Sequence, residues 1–305
     1  MTDRDFLSID DLAPDELNEL LDSSKKIKSK PDSVSSALAR VQVAQIFEKP
    51  STRTRISFEA AVESMGGHAI VLRGEELQLG RGETIEDTGR VLSRYVNAVV
   101  VRTFGQDRLE RLADACTVPV VNALSDFEHP CQCLADLLTI QEKKGDLAGI
   151  SLGYLGDGNN VAHSLMFGGA KLGMNVRVAT PPGHEPFPQV VERSSEIAAQ
   201  TGGKLSVSTV VAEAATGADV LYTDVCASMG QEDQADAKRK KFERFQINED
   251  VVALADDDAI VMHCLPAHRG EEISADVLDG PRSVVWDQAE NRLHTQKALM
   301  AWLMS

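Results

Sequence analysis

Apolar residues in this chain gather into short runs rich in Val and Ile. Between the runs they recur at three- and four-residue spacing. Residues 41–47 (VQVAQIF), 68–72 (HAIVL), 97–102 (NAVVVR) and 118–123 (VPVVNA) read as strands. So do 150–156, 175–180, 204–210, 218–224, 258–263 and 282–287. Helical segments lie between them. Pro14 opens one, with Leu17, Leu20, Leu21 and Ile27 on one face. Residues 53–66 form another, with Phe58, Ala61, Val62 and Met65 inward and Gly66 as its stop. A third spans 130–144 and bridges the two halves of the pattern. Alternation of this kind predicts an α/β fold: two doubly wound domains, each a parallel sheet flanked by helices, joined by interdomain helices. The expected division is 1–134 and 135–288. The amphipathic stretch 289–305 suits packing on either half by pattern alone and is assigned back to the N-terminal domain.

A length of 305 residues suits two domains, and 43% hydrophobic content is enough for two cores. Lys+Arg number 31 and Asp+Glu 47, a net charge of −16. A field of that sign repels nucleic acid and anionic membranes, so neither is an expected partner. It also repels an anionic substrate, which would need a local basic cluster working against it. The acidity fits a salt-rich cytoplasm, where ions screen self-repulsion, and equally an ordinary acidic cytosolic protein. The cysteine count is five, an odd number in a long chain, which fits a reducing compartment better than a disulfide framework. The N-terminal MTDRDFLSIDDL is acidic and lacks an apolar core, so it does not read as an export signal. A cytoplasmic protein is expected.

Candidate chemistry begins at residues 49–55, KPSTRTR, where a strand ends and a helix opens. Helix N-termini carry unpaired N–H groups and partial positive charge. Ser51, Thr52 and Thr54 add hydroxyls, and Arg53 and Arg55 add forked cations. By itself this reads as an anion cradle or as a capped helix start facing water. Two further strand ends bear on the choice. One carries Arg102, and the other leads to His129, Pro130, Cys131 and Gln132. In parallel α/β sheets ligands bind beyond the carboxyl ends of the strands, so these side chains are candidates for one crevice.

In the second half, YLGDGNN places Gly153, Gly156 and Gly158 after a strand, like a dinucleotide loop. A nicotinamide fold wants an acid at the end of the next strand, where this chain has Thr180 and Pro181. The Cys and His residues, Cys131, Cys133, His263 and Cys264, lack the usual zinc-ligand spacing, so no metal site is expected.

The segments FEKPSTRTRISFE, VVVR and HPCQ, taken together, resemble the aspartate/ornithine carbamoyltransferase family across nearly the whole chain. The resemblance implies that residues 1–134 bind carbamoyl phosphate and 135–288 bind ornithine. It assigns the phosphate to Ser51, Thr52, Arg53, Thr54 and Arg55, with Gln78 contributed from a neighbouring subunit. Arg102 and His129 would reach the carbonyl oxygen and Gln132 the amide. Arg292, in ENRLHT, matches a further position near the carbamoyl group. Asn160 would bind the ornithine carboxylate. DVCASMG (224–230) and MHCLP (262–266) resemble the ornithine branch. Asp224 and Ser228 would hold the α-ammonium, the Met229 backbone the carboxylate, and the Cys264 and Leu265 carbonyls the carbamoyl NH₂. Arg102, His129, Cys264 and Asp224 are the implied catalytic set. The family's loop matching 76–88 crosses into the next subunit, which implies a homotrimer and leaves higher assembly open. Arg81 in that loop is a weaker candidate. No cofactor is implied.

Overall fold

The structure, a computed structural model, describes residues 4–78, 82–225 and 240–305. The chain divides into two compact units, residues 1–135 with 290–305, and residues 136–289.

The first unit is built on a four-stranded parallel sheet: β1 (Gln42–Phe47), β2 (His68–Arg73), β3 (Ala98–Arg102) and β4 (Val120–Leu124). Their order is β2-β1-β3-β4. Its helices are α1 (Pro14–Ser29), α2 (Arg53–Ser64), α3 (Ile85–Leu92) and α4 (Gln106–Ala115). Both β3 and β4 are buried along their whole length, as largely apolar strands in a covered parallel sheet should be. Ala44, Ile46, Val99 and Val101 pack against Ile85, Leu109 and Leu112 on one face. Beyond β4, Phe6 forms a parallel bridge with Val121, which covers backbone that would otherwise be an open edge.

The second unit holds β5 (Ser151–Leu155), β6 (Asn175–Ala179), β7 (Lys204–Ser208), β8 (Val220–Thr223) and β9 (Ile260–His263). The sheet is parallel, in the order β7-β6-β5-β8-β9. Its principal helices are α6 (Asn160–Lys171) and α7 (Pro188–Thr201). Helix α5 (Pro130–Lys144) and the C-terminal helix (Val285–Leu303) each run through a boundary between the units.

In each sheet the winding reverses beside the first strand in sequence: between β1 and β3, and between β5 and β8. A reversal parts the two following connections and leaves a crevice at the strand carboxyl ends. The sequence places its basic cluster at the first reversal and Asn160 and Asp224 at the second.

One expected strand is absent. Val261 N–H reaches the Arg282 carbonyl and Val284 N–H the Val261 carbonyl, giving a single bridge between Val261 and Ser283. The next N–H along β9, that of His263, is taken instead by the side chain of Gln288 at 3.0 Å. Pairing stops there and the chain turns helical at Val285.

Candidate active site, one group of residues on each unit

On the first unit, Phe47 of β1 lies in register with Arg102 of β3, so the two strand ends adjoin. The Arg102 carbonyl accepts from Glu48 N–H at 2.9 Å, which ties the start of the 48–52 loop to β3. Glu48 is itself held by Arg108 at 2.7 Å and by the Thr103 hydroxyl. Helix α2 then opens without help: the Thr52 side chain makes no capping bond. The capped-helix reading of KPSTRTR is therefore not what the fold adopts. Its first-turn N–H groups have no side-chain acceptor from the cap, which suits an anion.

The basic residues of that stretch do different things. Lys49 is buried, ion-paired with Asp126, and sits 4.4 Å from the centre of the Phe104 ring. It braces the loop against the 125–128 turn. Arg55 runs along α2 toward Glu59 at 3.8 Å, with both side chains well exposed. Arg53 and Ser51 are half-buried, and Thr52 is exposed. Thr54 is buried, and its hydroxyl accepts from Arg292 at 2.8 Å. The same guanidinium donates at 2.8 Å to the carboxamide oxygen of Gln132 on α5. A forked cation thus joins α2, α5 and the C-terminal helix, and hydrogen bonds to a charged group contribute about 1.5–3 kcal/mol each.

His129 immediately precedes α5 and is 5% exposed. Burial, then the Arg292, Arg102 and Arg53 guanidiniums, hold its imidazole well below the ordinary histidine value. It is neutral at physiological pH, so it can donate one N–H without adding charge. Cys131, fully buried beside it, is pushed up to about 12 and stays a thiol. Its sulfur donates to the Asn122 carbonyl, a packing role. Gln78 is exposed.

On the second unit, Asp224 follows β8 and is 6% exposed. Its Oδ1 accepts from the Cys264 thiol at 2.9 Å and its Oδ2 from the Asn159 amide at 2.8 Å. Asn159 caps α6 through its Oδ1, which accepts from the N–H groups of Val161 and Ala162 at 3.0 and 3.2 Å. Asn160 is the first residue of that helix and half-buried. Sequence reasoning passed over Asn159, although an Asn just before an apolar helix is a recognisable cap. Ser228, Met229 and Arg81 lie outside the described residues.

Cys264 and Leu265 occupy a sharp turn after β9. Leu265 has φ +59, a left-handed conformation that costs a non-glycine residue roughly 1–2 kcal/mol. The turn is held by His263, whose Nδ1 accepts from Leu265 N–H at 2.8 Å. That fixes the proton on Nε2, which donates to the buried Glu272 at 2.9 Å. Ligand-type atoms of Asp224, His263 and Cys264 lie within 4.8 Å of one another, a grouping that chain spacing concealed. Both ring nitrogens of His263 are already committed to protein partners.

The glycine loop is filled by the chain itself. Gly158 N–H donates to the His184 carbonyl at 2.8 Å, and a Cβ there would lie 2.2 Å from Pro186 N. In a dinucleotide loop that face approaches a pyrophosphate.

The aspartate/ornithine carbamoyltransferase family matches both halves: its carbamoyl-P binding domain over residues 4–142 and its Asp/Orn binding domain over 148–303. An ornithine carbamoyltransferase of Parafrankia sp. (strain EAN1pec) is 59% identical over 307 residues, covering 100% of this chain and 97% of the relative. One named "Ornithine carbamoyltransferase, anabolic", from Pyrococcus furiosus, is 53% identical over 303 residues, covering 99% and 96%. The solved ornithine carbamoyltransferase of Pyrococcus furiosus superposes with a TM-score of 0.95 over 98% of this chain and 96% of its own, at 53% identity. With two parallel sheets, the basic strand ends of the first unit and both family domains in place, this chain belongs to the aspartate/ornithine carbamoyltransferase family.

Proposed function

We propose that the chain transfers the carbamoyl group of carbamoyl phosphate to the δ-amine of L-ornithine, releasing L-citrulline and phosphate. The observation that carries this reading is a buried, neutral His129 among the guanidiniums of Arg53, Arg102 and Arg292. Those cations suit a phosphate, and the neutral N–H suits an oxygen on which charge develops during the reaction.

In this reading Ser51, Thr52, Arg53, Thr54 and Arg55, with the uncapped α2 N-terminus, take the phosphate. Arg102, His129 and Thr54 stabilise the oxyanion that forms when the amine attacks the carbonyl carbon. Gln132, Arg292 and the carbonyls of Cys264 and Leu265 orient the carbamoyl group. Asn160, Asp224, Ser228 and Met229 hold ornithine. Phosphate is a sufficient leaving group, so the chemistry requires no covalent enzyme intermediate and no cofactor. The nucleophile must be a neutral amine, and a lysine-like amine has a pKa of roughly 10.4. Cys264 and Asp224, joined by a 2.9 Å bond, are the groups that bias its proton.

Exposed Gln78 supports a loop that completes the phosphate site of a neighbouring subunit, and hence a homotrimer. The relative named anabolic supports the citrulline-forming direction and a place in arginine biosynthesis. No helix among the described residues is long and apolar enough to cross a membrane, which fits a cytoplasmic enzyme.

The test is citrulline formation from carbamoyl phosphate and L-ornithine, with aspartate and putrescine in parallel. Turnover with ornithine should rise with pH into the alkaline range. A flat profile from about pH 6 to 9, with chemistry rate-limiting, would refute the amine step.

A further inference from the structure

Asn159 lies between two groups that the reading above assigns to the α-ammonium and the α-carboxylate of ornithine. Its oxygen caps α6, the helix that begins with Asn160. Its nitrogen donates to Asp224 Oδ2 at 2.8 Å. The other carboxylate oxygen of Asp224 is taken by Cys264. The Asn159 carboxamide is in turn oriented by its own backbone, whose N–H donates to the Asp157 carbonyl at 2.7 Å, and by the Tyr154 hydroxyl, 3.3 Å from Oδ1. Tyr154 is fully buried, and its ring stacks on that of Tyr222 at 5.9 Å. The carboxamide therefore has a rigid mounting, and its two ends differ chemically. Only an oxygen can cap the helix, and only an N–H can donate to the carboxylate.

We propose that Asn159 is a positioning residue for the amino-acid substrate. It locks the Asp224 carboxylate to the N-terminus of α6, so that the ammonium-binding and carboxylate-binding groups stand at a fixed separation. The inference rests on the ornithine reading of this site. An ordinary N-cap needs only an acceptor, and Ser or Asp serves as well as Asn. The amide nitrogen is surplus to capping, and it is spent on the Asp224 carboxylate.

The test compares Asn159→Ser, which keeps a capping oxygen but cannot reach Asp224, with Asn159→Ala, which loses both bonds. Readouts are thermal midpoint, carbamoyl phosphate affinity, and KM and kcat for ornithine. The Ser variant should melt close to the wild type and the Ala variant lower, while both raise the ornithine KM by roughly tenfold or more. Carbamoyl phosphate affinity should be unchanged in both. Asn159→Ser should add little further loss in an Asp224→Ala background, because the bond it removes needs an acceptor at position 224. A Ser variant with wild-type ornithine kinetics would reduce Asn159 to a cap and overturn the proposal. So would full additivity with Asp224→Ala. Wild-type protein that makes no citrulline fails the functional reading instead, and that outcome is seen before any variant is made.

Discussion

Arg292 and Thr54 are 238 positions apart in the chain and 2.8 Å apart in the fold. The second arm of the same guanidinium holds Gln132 at 2.8 Å. Arg292→Lys keeps the charge but offers a single ammonium in place of a fork. One buried oxygen then loses its donor, at a cost of about 1–3 kcal/mol. The expected outcome is a lower thermal midpoint and weaker carbamoyl phosphate binding by calorimetry. A Lys variant with wild-type stability and affinity would show that the bridge contributes nothing.

Arg102→Ala removes a cation at the end of β3, beside His129. Donors aimed at developing charge typically supply 10²–10³ in rate each. Turnover should fall by about that factor while ornithine affinity changes far less. Steady-state kinetics on one variant measures both, and unchanged turnover would remove Arg102 from the catalytic set.

Cys264→Ala takes away the thiol that donates to Asp224. The ornithine reaction should suffer, and carbamoyl phosphate binding, assigned mainly to the first unit, should be largely retained. Loss of that binding would mean that Cys264 serves the other substrate.

Acid should destabilise the protein in part through His129. Burial, then the nearby guanidiniums, lower its value in the folded state, while the unfolded chain has the ordinary 6.5. Below that value the unfolded state binds the proton and the folded state resists it, so stability falls as pH falls. The contribution is fully present above the unfolded value. Below it, up to about 1.4 kcal/mol is lost per pH unit until the folded value is reached. Denaturant melts of His129→Asn at pH 7 and pH 5 should show a smaller loss on acidification than the wild type shows. An equal loss in both would place the acid sensitivity elsewhere.

Gly158→Ala tests whether the glycine loop is structural. The added methyl would stand 2.2 Å from Pro186 N and 2.5 Å from the Glu185 carbonyl carbon, contacts that the backbone must open to accept. Overpacking of this kind costs typically 1–3 kcal/mol. The thermal midpoint should drop, and wild-type protein should show no nicotinamide binding in a fluorescence titration. Nicotinamide binding weakened by this substitution would restore the dinucleotide reading.

The sequence by itself determined the sheet class, nine of the strands, and which strand ends carry basic or acidic groups. Those features are local: an unbroken Val run such as 99–101 suits a covered parallel strand, and winding order puts its end at a crevice. Tertiary structure decided who partners whom. VVW at 284–286 has the composition of a strand, yet the Gln288 side chain takes the N–H that its pairing would need, and the chain goes helical. Lys49 looked like part of the cradle and is held by Asp126. Arg292 matched a position near the carbamoyl group by resemblance, and only the fold shows it buried and bonded to Thr54 and Gln132. The amide of Asn159 was invisible until Asp224, 65 positions later, was brought against it. Periodicity reports which face of an element is covered. A hydrogen bond with direction and reach depends on loops closing over tens to hundreds of residues, and no local pattern encodes that.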